Sequence, residues 1–275
     1  MSFSIRTNVG SLNAQRNLFN SSSMLDDSFS KLSSGFRITK AGDDAAGLGI
    51  SVNLGAQIRS FNQGNRNAQD AQSLMQTAEA NLNQTTELLT RMRELAMQSA
   101  SSGVGNTERG YIQTENTALI TEIDRIANSA EYNGQALLNS AATSLTFQVG
   151  IRNVAANDRI SVSTVDATAA TLLVSTLDFS TQAASQTALA TLDTALQTVS
   201  SARATFGAAG NRIGSVIQTI QASAESLSAA NSRIRDVDVA EETSRMARTQ
   251  VMMQAGVSVL AQANQAPQIA LKLLG

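Results

Sequence analysis

The last third of the chain carries one unbroken apolar stripe whose steps alternate three and four residues. It runs Leu189, Leu192, Leu196, Val199, Phe206, Ile213, Ile217, Ile220, Leu227 and Ile234, with Arg203, Gly210, Ala224 and Asn231 in the remaining positions. A mean step of 3.5 is a heptad seam, so residues 189–234 form one long helix lying along partner helices. At about 1.5 Å per residue, these 46 residues span roughly 70 Å. A helix of that length predicts an elongated molecule.

The N-terminal half supplies stripes of the same period. Met75, Ala78, Leu82, Leu89, Met92 and Ala96 form one, and Ile112, Leu119, Ile123, Ile126 and Ala130 form a second. Near the N-terminus Ile5, Val9, Leu12 and Phe19 share one phase, while Leu18, Leu25, Phe29, Leu32 and Phe36 share another. Met246, Met253, Val257 and Leu260 repeat the pattern at the other end. The simplest architecture folds the chain back on itself and pairs its two ends. The fold class is therefore mainly α, a helical bundle and coiled coil built from N- and C-terminal helices. Leu12, Leu18, Leu25, Leu32, Met253, Val257 and Leu260 are the candidate self-association seam. An isolated arm buries too few large side chains to offset the ordering of its backbone, so it needs neighbours.

Breaks divide the helices. Residues 1–39 form an arm, interrupted at Ser33-Ser34-Gly35 and at Thr39-Lys40-Ala41-Gly42. One of Asp43 and Asp44 caps the next helix, which runs from about Ala45 to Ala100. Gly47, Gly49, Gly55 and Gly64 weaken that helix unless close packing compensates. A loop at 101–106 leads to a helix ending near Ala130, and Tyr132-Asn133-Gly134 is a turn signal. Alternation at Leu145, Phe147 and Val149, then at Ile160, Val162 and Thr164, predicts a β-hairpin within about 140–166. Residues 166–182 are weakly patterned. After a break at 235–238, a final helix extends to about Ala263.

Composition narrows the function. The 275 residues include no Cys, no His and no Trp, and a single Pro. Zinc sites of the usual kind and Ser-His or Cys-His nucleophiles are thereby unavailable. Gly47-Leu48-Gly49 lacks the third glycine of a dinucleotide loop. Asp236, Asp238, Glu241 and Glu242 read as a solvated helix start, and Met246, Met252 and Met253 as seam packing. No catalytic residue, metal site or cofactor is expected. The net charge of −2, with only Lys31, Lys40 and Lys272 as lysines, argues against a nucleic-acid partner. The N-terminal arm lacks the basic polar face of a membrane-surface helix. MSFSIRTNVGSLNAQ has no apolar run suited to a signal peptide, which fits a cytoplasmic chain or one exported without a cleaved signal.

Several ordered motifs resemble the bacterial flagellins. They are Ser11-Leu12-Asn13-Ala14, Leu32-Ser33-Ser34-Gly35-Phe36-Arg37-Ile38 and Asp43-Asp44-Ala45-Ala46-Gly47-Leu48, then the run from Arg91 to Ala100. Glu122-Ile123-Asp124-Arg125-Ile126-Ala127, Tyr132-Asn133-Gly134 and the run from Gln254 to Gln265, followed by Pro267 and Leu271-Lys272-Leu273-Leu274, continue the match.

That resemblance implies a structural subunit, not an enzyme, that self-assembles into the helical filament of the bacterial flagellum. It implies export through the flagellar type III channel, extracellular addition under a cap protein, and contacts with hook-junction proteins and an export chaperone. It further implies an inner coiled-coil domain from residues 1–44 and 236–275, and an outer domain from 45–235 without a large variable insertion. Arg91, Leu95 and Glu115 sit at positions by which flagellins are recognised by a vertebrate Toll-like receptor, and the spacing places Arg91 and Leu95 on an exposed flank. A hook–filament junction protein is the nearest alternative, and a coiled-coil surface adhesin a more distant one.

Overall fold

The computed structural model describes residues 7–139 and 143–274, with side chains described as far as residue 265. Helix α1 (Val9–Ser34) begins under Asn8, whose Oδ1 accepts from Ser11 N at 3.0 Å. It ends at Gly35, which adopts a left-handed φ of 74° that a side chain would resist. Helix α2 (Ala45–Ser99) starts under Asp44, which accepts from Gly47 N at 2.8 Å. Helix α3 (Asn106–Ser129) follows. Strands β1 (Glu131–Tyr132) and β2 (Gln135–Ala136) pair across a turn in which Asn133 and Gly134 both have positive φ, the geometry that Asn-Gly favours.

The predicted hairpin is present. Strand β3 (Ser144–Gln148) pairs antiparallel with β4 (Arg159–Ser163), Phe147 opposite Ile160, and the short helix α4 (Ala155–Asp158) lies in the connection. Helix α5 (Gln182–Arg235) comes next, then α6 (Val239–Leu274). Helix α6 runs past the expected end at Ala263 and through Pro267.

The described chain divides into two compact units. One comprises Gln57–Glu225, and the other draws on Met1–Ala56 and Ser226–Gly275. In the Gln57–Glu225 unit, Met75, Ala78, Leu82, Leu89, Met92 and Ala96 of α2 are all buried, as the stripe predicts. They share one core with Ile112, Ile123 and Ala127 of α3 and with Leu192, Val199, Phe206, Ile213 and Ile220 of α5.

Only half of the predicted α5 stripe holds. The alternate seam positions belong to Ala188, Ala195 and Ala202, which are buried, while Leu189, Leu196 and Arg203 lie one residue further on and are only half-buried. Alanine lets α5 approach its neighbours closely, and the larger residues pack on the flanks.

The weakly patterned stretch after β4 is a strap that seals this core. Ala167, Ala169, Leu172, Val174 and Phe179 are buried. Its backbone is held by side chains from the helices. Asp124 accepts from Ala169 N at 2.8 Å, Gln113 accepts from Phe179 N at 2.7 Å, Asn116 donates to Leu177 O at 3.0 Å and Ser99 donates to Phe179 O at 2.7 Å. Gly64 meets the same architecture, because a Cβ there would collide with the Val149 carbonyl beside the hairpin. Gly47 is pressed by Asp44 and Ile38, whereas Gly49 and Gly55 face open space, so close packing compensates only two of the four helix glycines.

Candidate assembly interface

In the unit that contains the chain ends, α1 packs along α6. The inner face of α1 carries Ser11, Ala14, Leu18, Ser21, Leu25, Ser28 and Leu32, stepping three and four, with Ser22 and Lys31 half-buried at its edge. On α6 the facing positions are Glu242, Met246, Thr249, Met253, Gly256, Leu260 and Ala263, with Thr243 half-buried beside the first. This is an antiparallel heptad seam in which large residues alternate with small ones. A Cβ on Gly256 would lie 3.1 Å from Leu18 Cδ1, so the glycine admits that leucine.

Polar rungs set the register. Asn8 Nδ2 donates to Ala263 O at 2.8 Å, and Ser11 Oγ donates to Asn264 Oδ1 at 2.8 Å. Further along, buried Ser28 donates to the Glu242 carboxylate at 2.6 Å. Beyond the end of α1, Val237 N donates to Gly35 O at 3.0 Å, and the Arg235 guanidinium lies 4.1 Å from the centre of the Phe36 ring.

The seven candidate seam residues fall on two faces. Leu18, Leu25, Leu32, Met253 and Leu260 lie half-buried on the α1–α6 contact. Leu12, which belongs to the other phase of the arm, and Val257, one residue past the half-buried Gly256 on α6, point outward and are exposed. In both cases a small neighbour, Ser11 or Gly256, takes the seam position and turns the larger residue away.

They have company outside. Val9, Phe19, Met24 and Phe29 of α1 and Val251, Met252 and Val259 of α6 are also exposed, Phe19 to 75%. Met24, Lys31, Arg245, Arg248, Val251 and Met252 border a groove of about 1070 Å³ alongside the Ser28–Glu242 bond. Sequence reading missed this outward set on α6. Its signal was the adjacent apolar pairs Val251-Met252 and Val257 with Val259, too many large residues for one face.

The acidic residues after α5 behave as a helix start, with Asp238 accepting from Ala240 N at 2.9 Å. Among the described residues no group of three or more His, Cys, Asp or Glu is placed to hold a metal ion, and no helix is long and apolar enough to cross a membrane.

The candidate receptor residues separate. Arg91 binds Glu115 of α3 at 2.8 Å and Glu94 at 3.1 Å, with both Arg91 and Glu115 solvent-facing. Glu115 first, then Glu94, raises the Arg91 pKa further. Leu95 is only 2% exposed, which corrects its expected place on an exposed flank. It and Leu74 lie one residue before seam positions, and both are buried because the helix is covered over a wider arc than a two-helix seam requires.

Residues 5–143 match the bacterial flagellin N-terminal helical region, and residues 189–274 match the bacterial flagellin C-terminal helical region. The chain belongs to the bacterial flagellin family. It is 40% identical to a flagellar filament 33 kDa core protein of Treponema phagedenis, over 98% of this chain and 99% of that one. A flagellin of Bacillus subtilis is also 40% identical, with the same coverage. The crystal structure of Bacillus cereus flagellin aligns with 56% of this chain and 88% of that chain at 32% identity, with a TM-score of 0.51. This flagellin is a structural subunit of the extracellular flagellar filament, and the junction-protein alternative is not favoured. The family is a structural one.

Proposed function

We propose that the outward faces of α1 and α6 are the contacts through which this flagellin joins its neighbours in the filament. One observation carries the reading. Two helices already paired with each other still expose Val9, Leu12, Phe19, Met24 and Phe29 on one side and Val251, Met252, Val257 and Val259 on the other. A soluble single subunit gains nothing from so much exposed apolar surface, whereas a polymer buries it. In this reading residues 1–44 and 236–275 form the inner domain of the filament and 45–235 the outer one. Family membership further supports export through the flagellar type III channel, an export chaperone, and contacts with cap and hook-junction proteins.

The test is Phe19→Asp and, separately, Val259→Asp, assayed by sedimentation of seeded polymer with circular dichroism on the monomer. Both variants should keep their helix and lose polymer. Filaments of normal length and yield from both would reject the assignment.

A second surface rests on the exposed Arg91–Glu115 pair. We infer that it forms the accessible part of a Toll-like receptor site, with buried Leu95 supporting it from beneath. Arg91→Ala should weaken receptor binding by monomer. Failure of the unsubstituted monomer to bind in a direct assay would remove this surface and leave the filament reading intact.

A further inference from the structure

Two methionines face each other's helix across the groove beside the Ser28–Glu242 bond. Met24 of α1 is 57% exposed and Met252 of α6 is 51% exposed, and both line it. The other methionines with described side chains divide differently. Met75 and Met92 are sealed in the bundle core, Met246 and Met253 are half-buried on the α1–α6 seam, and Met97 is exposed on α2 in the other unit. The arms therefore place two accessible thioethers together in one apolar depression, on the face assigned above to the neighbouring subunit.

A thioether is soft, flexible and apolar, which suits it to an interface that must fit another surface. The same sulfur is the side-chain atom here most open to two-electron oxidation, because the chain has no cysteine to compete for oxidant. We propose that Met24 and Met252 form a peroxide-sensitive modification site that controls whether the subunit can enter a filament.

The chemistry balances with hydrogen peroxide as the oxidant. Sulfur attacks the terminal peroxide oxygen, an S–O bond forms and the O–O bond breaks. The sulfur gives up two electrons and becomes a sulfoxide. The proton on the transferred oxygen passes to the departing hydroxide, which leaves as water. The product carries a strong acceptor into a groove whose rim supplies cations at Lys31, Arg245 and Arg248 but whose walls at Val251 and the methionine stems are apolar. Exposed on the free subunit, the sulfoxide is hydrated at no cost. Pressed against a neighbour, it loses that water and weakens assembly. Leaving one acceptor unpaired at an interface corresponds to about tenfold in critical concentration per sulfoxide.

The proposal rests on the assembly reading, and the experiment separates the two. Monomer is treated with hydrogen peroxide, mapped by peptide mass spectrometry, and then seeded to polymerise. Sulfoxide should appear at Met24 and Met252 well before Met75 and Met92, and the critical concentration should rise by about tenfold or more. In the double variant Met24→Leu/Met252→Leu, peroxide should leave the critical concentration at that variant's own untreated value. A methionine sulfoxide reductase should restore assembly to oxidised unsubstituted protein, which tests the site without any substitution. Normal assembly of protein oxidised at both positions would overturn this inference while leaving the interface standing, as would equal peroxide sensitivity in the double variant. Failure of the untreated protein to polymerise at all would overturn both.

Discussion

The two units of this flagellin use the same heptad spacing to opposite ends. In the Gln57–Glu225 unit the in-phase large residues are hidden. Leu82, Leu89, Met92, Ile123, Leu192 and Ile213 are fully buried, and the strap through Phe179 closes what the helices leave open. In the unit holding the chain ends, the buried residues of α1 are Ser11, Ala14 and Ser28, while its phenylalanines face outward or lie half-covered. The bundle is complete in itself. On the arms, small and large residues alternate along the inner seam, and a second set of large residues, among them Val9, Phe19, Phe29 and Val259, stays exposed. Spacing says that a helix pairs, and residue size on each face says with what.

The sharpest way to break this contrast is to charge the arms' inner seam. Leu25→Asp or Leu260→Asp should abolish sedimentable polymer altogether, since an unpartnered carboxylate on a covered face is costly. Circular dichroism should retain most of the helix, because the Gln57–Glu225 core does not include either residue. Normal filaments from either variant would erase the distinction.

Amide exchange measures the same contrast in the native monomer. The amides of α1 and α6 should exchange early, while those from Met75 to Ala96 and from Leu192 to Ile220 should be protected up to the global unfolding limit. Equal protection in the two regions would show the arms to be as self-sufficient as the bundle.

Smaller effects come from glycines of α2. Gly64→Ala must displace the Val149 carbonyl and should cost about 1–3 kcal/mol in urea unfolding. Gly55→Ala meets nothing within 4 Å and should stabilise by about 0.5–1 kcal/mol. Reversal of these signs would contradict the close approach of the hairpin to α2.

The smallest effect is at Asp43. Its carboxylate accepts from Lys40 N, Thr39 N and Thr39 Oγ1, and these bonds lower its pKa from the ordinary 3.8 to about 2. A lowered carboxylate pKa stabilises the fold above the ordinary value, and that contribution is lost as pH falls through about 2. Following the Asp43 carboxyl shift by NMR should give a midpoint near 2, and a midpoint at 3.8 would show the turn to be open in solution.

Helix positions, breaks and the hairpin were legible in the sequence because periodicity, glycine and capping residues report on the local chain. Which residue sits on each seam was less so. At Leu189, Leu196 and Val257 the apolar reading chose the larger residue. The helices instead turned Ala188, Ala195 and Gly256 one position earlier into the contact. Close helix approach favours the smaller side chain, and hydropathy alone ranks the larger one first. The strap escaped notice for a related reason, since Ala167, Ala169 and Val174 are buried by tertiary hydrogen bonds that carry no local period. Leu95 likewise became core because more than one element covers its helix. The Arg91–Glu115 pair, between residues 24 apart, is visible only once α2 and α3 lie together.

The pairing of both chain ends also says where foreign sequence can be carried. Asn8 and Ala263 are hydrogen-bonded, so sequence inserted beside either residue crowds the same α1–α6 contact. The link between β3 and β4 is free of that constraint, with 152–157 exposed. Lengthening a flexible surface loop is cheap, about 0.6 kcal/mol for each doubling. An epitope, a dye-binding peptide or a whole folded cargo spliced there would sit in a connection that supplies no residue to the α1–α6 seam.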